Sequence, residues 1–270
     1  MQKIALITGG NSGIGYAVAR LLKEKNYKVF ISGRSESRVF KAAKELGVEP
    51  LIADMGDMNA VKKLASVFAK DGLDVLVNNA AIAHFKRIED VSESDFSEII
   101  NVNLKGPFFL IQTLVPCLEK REGSITNVSS VATILGTPEL SAYSASKGGI
   151  EALTRSLAAE LAPKKIRVNA ITLGGIETPM LYKSTNKEKA ILFDGKINGN
   201  FLLNQQNEKF DGESSLIISN LKSNNQLIGD AKLNLNFGRY GVLYNWSAAV
   251  NGSQSSASSP SGIQGACPEG

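Results

Sequence analysis

Tyr143 and Lys147 stand four residues apart in Y-S-A-S-K, and Ser130 precedes the tyrosine by thirteen positions. Residues four apart on a helix share a face, so a helix here puts the lysine ammonium beside the phenol. A phenol titrates near ~10, too high for efficient proton transfer at neutrality. A neighbouring cation favours the phenolate and lowers that value, which makes the pair a candidate general acid and base. Taken singly, each piece has an ordinary account. Tyr143 and Lys147 could be an exposed helix pair, Ser130 a turn residue, and Asn103 of N-V-N-L-K-G a residue at a helix kink. Their joint order and spacing argue against accident. His84 is the only histidine, which excludes a Ser-His-Asp triad and a multi-histidine metal site, so no metal is expected.

A second group of residues lies near the N-terminus, where Thr8-Gly9-Gly10-Asn11-Ser12-Gly13-Ile14-Gly15 follows a short apolar stretch. Gly9 permits a tight turn, while Gly13 and Gly15 let the backbone approach a pyrophosphate and let a helix pack close to the strand. The helix N-terminus then offers free N–H groups and a positive dipole end to phosphates. The bland alternative is a plain strand-to-helix turn. Arg34 follows the second strand at a corner where an acidic residue would indicate NAD; an arginine there suits a 2′-phosphate, or is a solvated surface charge. Asp54-Met55 and Asn78-Asn79-Ala80-Ala81 close two further strands, where Asp54 could equally cap a helix or turn and the asparagines satisfy buried backbone groups.

The elements that must carry these residues alternate. Strands are expected at 4–7, 28–32, 50–53, 73–77, 124–128 and 167–172, with helices at 13–25, 37–46, 58–69 and 142–161. A long helical pattern at 92–118 contains Gly106-Pro107, so a kink or break is expected there. Alternating strands and helices imply an α/β fold, a Rossmann-type doubly wound parallel sheet with a ligand crevice at the strand carboxyl ends. The net charge of +4 comes from scattered residues, so a nucleic-acid groove is not expected. Cys117 and Cys267 make no disulfide framework. No apolar run is long enough to span a bilayer, and residues 3–7 run straight into a strand without a leader, so a cytoplasmic location is expected.

In this order the glycine turn, N-N-A-A, Ser130 and Y-x-x-x-K resemble the short-chain dehydrogenase/reductase family over about residues 1–183. The resemblance implies hydride transfer between a nicotinamide cofactor and a small-molecule carbonyl or alcohol. Asn103, Ser130, Tyr143 and Lys147 would then be catalytic. Tyr143 would exchange the proton, Ser130 would bind the substrate oxygen, and Asn103 would hold a relay water. Lys147 would also bind the nicotinamide ribose. The cofactor would rest on Gly9, Asn11, Ser12, Gly13, Ile14 and Gly15, with Asp54 and Met55 at the adenine and Asn79 and Ala80 at the fourth strand. Ile176 and Thr178 of T-L-G-G-I-E-T-P-M would contact the carboxamide, with Leu173 in place of the family's proline. Arg34 favours NADPH (NADP) over NADH (NAD), although Ser12 stands where many NADPH-using relatives carry a second basic residue. His84 is expected in a loop beside the crevice.

Beyond about residue 185 the composition turns to Asn, Ser and Gly. Two units are therefore expected, a dinucleotide-binding domain at 1–185 and a β-rich or irregular polar tail at 186–270. Strand candidates in the tail are 190–193, 200–203, 215–218 and 232–237, and the last twenty residues are expected as loop. The family's substrate lid, further helix and seventh strand have no counterpart, which leaves the sheet incomplete at its C-terminal edge. Homo-oligomers are usual in the family, but the part that supplies a subunit interface is among those missing. The run from Gly238 to Trp246 and the final G-I-Q-G-A-C-P-E-G resemble the Fibrobacter succinogenes major paralogous domain, cut off at Gly270. That implies a chimeric chain, or a cofactor-binding remnant of impaired activity. The alternative is a divergent tail whose strands complete the sheet edge.

Overall fold

Five consecutive buried residues, Ile4–Thr8, form β1 at the centre of the molecule. Such an unbroken apolar run suits a strand covered on both faces. Its side chains alternate between two cores, with Ile4 and Leu6 in one and Ala5 and Ile7 in the other. In this computed structural model the described residues are 2–174, 176, 178–180 and four strands at 194–198, 212–223, 226–238 and 241–249.

Six strands make one parallel sheet in the order β3-β2-β1-β4-β5-β6. They are β1, β2 (Lys28–Gly33), β3 (Glu49–Ile52), β4 (Val75–Asn78), β5 (Ser124–Ser130) and β6 (Arg167–Leu173). The order reverses between β1 and β4, and there the carboxyl ends of the strands open a crevice. Helices α1 (Gly13–Glu24) and α2 (Glu36–Leu46) cover one face, where Ala19, Val39, Ala42 and Ala43 are buried. On the other face lie α3 (Met58–Ser66) and α5 (Gly106–Glu119), with Val61, Leu64, Leu110, Ile111 and Leu114 fully or almost fully buried. The expected Rossmann-type α/β fold is the one observed.

The helical pattern at 92–118 is three pieces. A capping box between Ser92 and Asp95 starts α4 (Glu93–Ile100). A π turn follows at Asn101–Lys105, and α5 starts at Gly106. The break has two causes. Pro107 has no N–H, so the carbonyl of Asn103 cannot receive the α-helical bond from four residues on. Gly106 also packs so closely on the β3–α3 loop that a Cβ there would stand 2.2 Å from the Met55 carbonyl oxygen. Last in this layer is α6 (Ser141–Leu161), which carries Tyr143 and Lys147.

In the tail, β7 (Asp194–Asn198), β8 (Gly212–Ser223), β9 (Gln226–Gly238) and β10 (Gly241–Ala249) form their own antiparallel sheet in the order β10-β9-β8-β7. They do not lengthen the parallel sheet at β6. The strand candidates 215–218 and 232–237 fall inside β8 and β9, whereas 190–193, 200–203 and the final twenty residues lie outside the described residues. No tail pattern predicted β7 or β10.

Candidate active site

The turn after β1 is built for close approach. Gly9 has φ +65°, and a Cβ there would lie 2.9 Å from the Ala80 Cα. Gly13 has φ +54° and faces Thr178, whose Cγ2 would be 3.2 Å from an added Cβ. Side chains at these positions would be strained and would fill the cradle. Thr8 locks the turn to β4. Its hydroxyl accepts from the N–H groups of Asn79 and Ala80 at 3.0 Å each, while Asn79 Nδ2 donates to the carbonyls of Thr8 (3.0 Å) and Gly9 (3.2 Å). Ser12 begins α1 in an extended conformation without a side-chain cap, and the first turn of the helix holds no acidic residue. The α1 N-terminus therefore keeps its affinity for an anion.

A cleft of about 560 Å³ runs from this turn across the strand ends. Gly9, Asn11, Ser12, Gly13 and Ile14 line it together with Arg34, Asp54, Met55, Asn79, Ala80, Ser130, Tyr143, Lys147, Ile176 and Thr178. Two predicted residues do not line it. Gly15 packs behind the turn, where a Cβ would stand 2.4 Å from the Gly9 carbonyl oxygen. Asn103 is 1% exposed, and its amide is engaged elsewhere. Its Oδ1 accepts from the Ile82 N–H at 2.8 Å, and its Nδ2 donates to the Ile82 carbonyl at 2.9 Å and to Ser146 Oγ at 3.0 Å. The Asn103 side chain thus ties the loop after β4 to α6.

Burial governs the electrostatics of the candidate acid–base pair. Lys147 is 3% exposed and donates from Nζ to the Val128 carbonyl at 2.7 Å. Desolvation of the ammonium lowers its pKa to about 8. The Tyr143 hydroxyl is pushed above its ordinary value by burial, and its hydrogen bond with Ser130 works in the opposite direction. The lowering expected from the lysine does not occur: burial sets the direction, and Lys147 Nζ stands 5.7 Å from the centroid of the Tyr143 ring with its hydrogen bond directed to the Val128 carbonyl. At neutral pH the lysine is charged and the tyrosine holds its proton.

At the other end of the cleft Arg34 is 62% exposed, with Nη1 3.7 Å from Glu98 Oε1. His84 pairs with the second oxygen of Glu98 at 2.9 Å, so it does stand in a loop beside the crevice. Asp54 Oδ1 accepts from the Gly56 N–H at 2.8 Å, which makes it a turn cap as well as a lining residue. Ser32 lines the cleft too, and its Oγ is buried without a partner among the described residues. Backbone cradle, uncapped helix end, cleft volume and orphaned hydroxyl together fit a dinucleotide. No cluster of potential metal ligands occurs among the described residues.

Sequence reasoning missed Thr8, Glu98, Ser146 and Glu151. Glu151 stands four residues after Lys147, so the helical spacing that paired Tyr143 with Lys147 extends to it.

The short chain dehydrogenase family model matches residues 3–189. The 3-oxoacyl-(acyl-carrier-protein) reductase FabG of Thermotoga maritima is 40% identical over 195 residues, which cover 69% of this chain and 79% of that protein. A solved 3-ketoacyl-(acyl-carrier-protein) reductase of Brucella melitensis, complexed with NADH, superposes with a TM-score of 0.65 at 33% identity, covering 69% of this chain and 80% of that one. The RhlG/NADP active-site complex of Pseudomonas aeruginosa gives a TM-score of 0.64 at 31% identity, with coverage of 67% and 75%.

Proposed function

The chain belongs to the short-chain dehydrogenase family, and from that premise we propose that it is an NADPH-dependent oxidoreductase that interconverts a small-molecule carbonyl and an alcohol with Tyr143 as acid and base. The observation that carries this reading is the convergence of Ser130, Tyr143 and Lys147 with the glycine turn on one cleft. The nicotinamide cofactor, when bound, supplies or accepts the hydride. The chain's own residues handle the proton and the geometry. Tyr143 holds its proton at neutral pH and can donate it to a carbonyl oxygen as that oxygen gains charge. Ser130, which lines the cleft with Tyr143, offers a second hydroxyl to the same oxygen. Lys147, still charged below about pH 8, offsets negative charge on the phenol as the proton leaves. In the oxidative direction Tyr143 must lose its proton against its burial, so alcohol oxidation calls for a more alkaline medium than reduction.

The preference for NADPH rests on Arg34, an exposed guanidinium that lines the cleft just past β2 and pairs with Glu98 through Nη1. Relatives solved with NADH and with NADP both occur, so the arginine carries this choice. Every residue assigned to the site lies before residue 181. We therefore assign the chemistry to a unit at 1–185 and treat 186–270 as a second unit.

The test is a fluorescence titration of the full chain with NADPH and with NADH, followed by a carbonyl screen on the wild type and Tyr143→Phe. The expected result is saturable binding with NADPH preferred, turnover in the wild type, and turnover lost in Tyr143→Phe with cofactor affinity kept within about twofold, since only the reacting hydroxyl is removed. Turnover surviving in the variant would remove Tyr143 from its role. Binding without reduction of any carbonyl would favour the cofactor-binding remnant instead.

A further inference from the structure

We propose that Glu151 is a positioning residue for the nicotinamide end of the cleft, an inference that rests on the dinucleotide reading above. Glu151 lies on α6 one turn beyond Lys147. A single carboxylate oxygen, Oε1, accepts from three hydroxyls: Ser129 Oγ at 2.7 Å, Thr172 Oγ1 at 2.9 Å and Thr133 Oγ1 at 3.0 Å. The three donors come from the end of β5, the turn after it, and the end of β6. Ser129 and Thr133 bracket Ser130, and the Thr133 hydroxyl is shared with the Ser130 carbonyl at 2.9 Å. Thr172 precedes Leu173, after which the lining residues Ile176 and Thr178 follow.

Ser129 and Thr172 each give Oε1 a full hydrogen bond, and Thr133 divides its one proton between Oε1 and the Ser130 carbonyl. Hydrogen bonds to an ionised acceptor are roughly twice as strong as those to a neutral amide oxygen, so a carboxylate holds these hydroxyls more firmly than glutamine would. Hydroxyl groups rotate to suit their surroundings, so without this acceptor the three side chains would turn to other partners. The segments they hold would then lose their common anchor. Glu151 does not line the cleft, and it acts through Ser130 and the β6 end rather than on a reacting atom. A purely structural staple would weaken the whole site alike. A positioning role is uneven, because among the described residues Arg34 and Asp54 make no hydrogen bond to this junction, and the glycine turn meets the segment beyond β6 only where Gly13 faces Thr178.

The experiment compares the full-length wild type with Glu151→Gln, Thr172→Val and the double variant. Fluorescence titrations with NADPH and NADH are set beside competition by the adenosine fragments 2′,5′-ADP and ADP. Glu151→Gln should weaken whichever dinucleotide the wild type binds by about tenfold. The matching fragment should hold its affinity within about twofold. Thr172→Val should give part of the loss alone and little more in the Glu151→Gln background, as expected for residues sharing one interaction. Equal losses for dinucleotide and fragment, or no loss for either, would overturn the role. A wild type that binds neither dinucleotide brings down the cofactor reading itself. A wild type that binds and a Glu151→Gln variant that matches it bring down this inference alone. Should Glu151→Gln not fold, Thr172→Val and Ser129→Ala decide by the same ratio of dinucleotide to fragment affinity.

Discussion

Lys147 carries its ammonium into a site where only 3% of the residue is exposed, with the Val128 carbonyl as its hydrogen-bond acceptor. Its pKa is about 8 folded against 10.5 in its ordinary state. Between those values the unfolded chain holds more protons than the folded one, so this residue's contribution to stability rises with pH through that window. Below about 8 the cost of burying the cation is felt in full. Lys147→Met removes the titration. The stability gap between wild type and variant should move toward the wild type by about 3 kcal/mol in all as pH climbs through the window, most of it between about 8 and 10. Urea unfolding at stepped pH checks this, and a gap independent of pH would contradict it. Arg34 is a case of the opposite kind, an exposed charge whose value lies in what it meets. Arg34→Leu should cost NADPH about tenfold or more in affinity while NADH changes by less than about twofold, because only NADPH brings a phosphate for the guanidinium. The Glu98 carboxylate beside it works against that phosphate, so Glu98→Gln should shift the preference further toward NADPH in the same titrations.

At the level of elements, the junction between the π turn and the β3–α3 loop joins the Asp54–Met55 side of the cleft to the helix pair beneath. Gly106 is its contact point, and an added Cβ would meet backbone, which cannot swing aside as a flexible side chain does. Gly106→Ala should destabilise the fold by about 2 kcal/mol or more through displacement of Met55 and Asp54, and should weaken binding of the adenosine fragment in parallel. A Cβ at Gly148 on α6 would meet no heavy atom within 4 Å among the described residues, apart from its chain neighbours and the adjacent backbone of its own helix. Gly148→Ala should therefore stabilise the protein by about 0.5–1 kcal/mol, the usual gain in a helix interior. Thermal unfolding of the two variants side by side tests both signs. The helices and strands that frame these glycines were legible because their signals are local. Apolar periodicity and a glycine turn each lie within one turn of what they specify. The division of 92–118 into three pieces was only half legible. Gly106-Pro107 announces a break, but the neighbour that demands a glycine is Met55, about fifty residues away in the chain. The N-V-N-L-K-G motif pointed to Asn103 as a site residue, yet it does not line the cleft, and its engagement with Ile82 and Ser146 depends on a loop and a helix that meet only in the folded sheet. The three hydroxyls on Glu151 come from positions 129, 133 and 172, so no window of sequence could bring them together.

For the molecule as a whole, the question is where a self-sufficient unit ends. Both described apolar cores draw on residues from Ile4 to Val168. The parallel sheet closes its order with β6, and the lining of the cleft reaches Met180. The antiparallel strands from β7 onward pair with one another and differ from the parallel sheet in both direction and composition. The match to the family stops at residue 189. A chain ending at residue 185 should accordingly keep the dinucleotide affinity of the full chain within about twofold, because every group assigned to the cofactor is retained. It should also unfold in a single cooperative transition, as one-domain proteins of this size generally do. Titration and urea unfolding of the shortened and full chains measure both. Loss of binding on shortening would mean that the tail supports the nicotinamide end from outside the cleft, placing the unit boundary beyond 185. Unchanged binding with a lower unfolding midpoint would mean that the tail covers apolar surface of the parallel unit without entering its chemistry. Identical binding and midpoint would establish two independent units, with the hydride chemistry confined to the first.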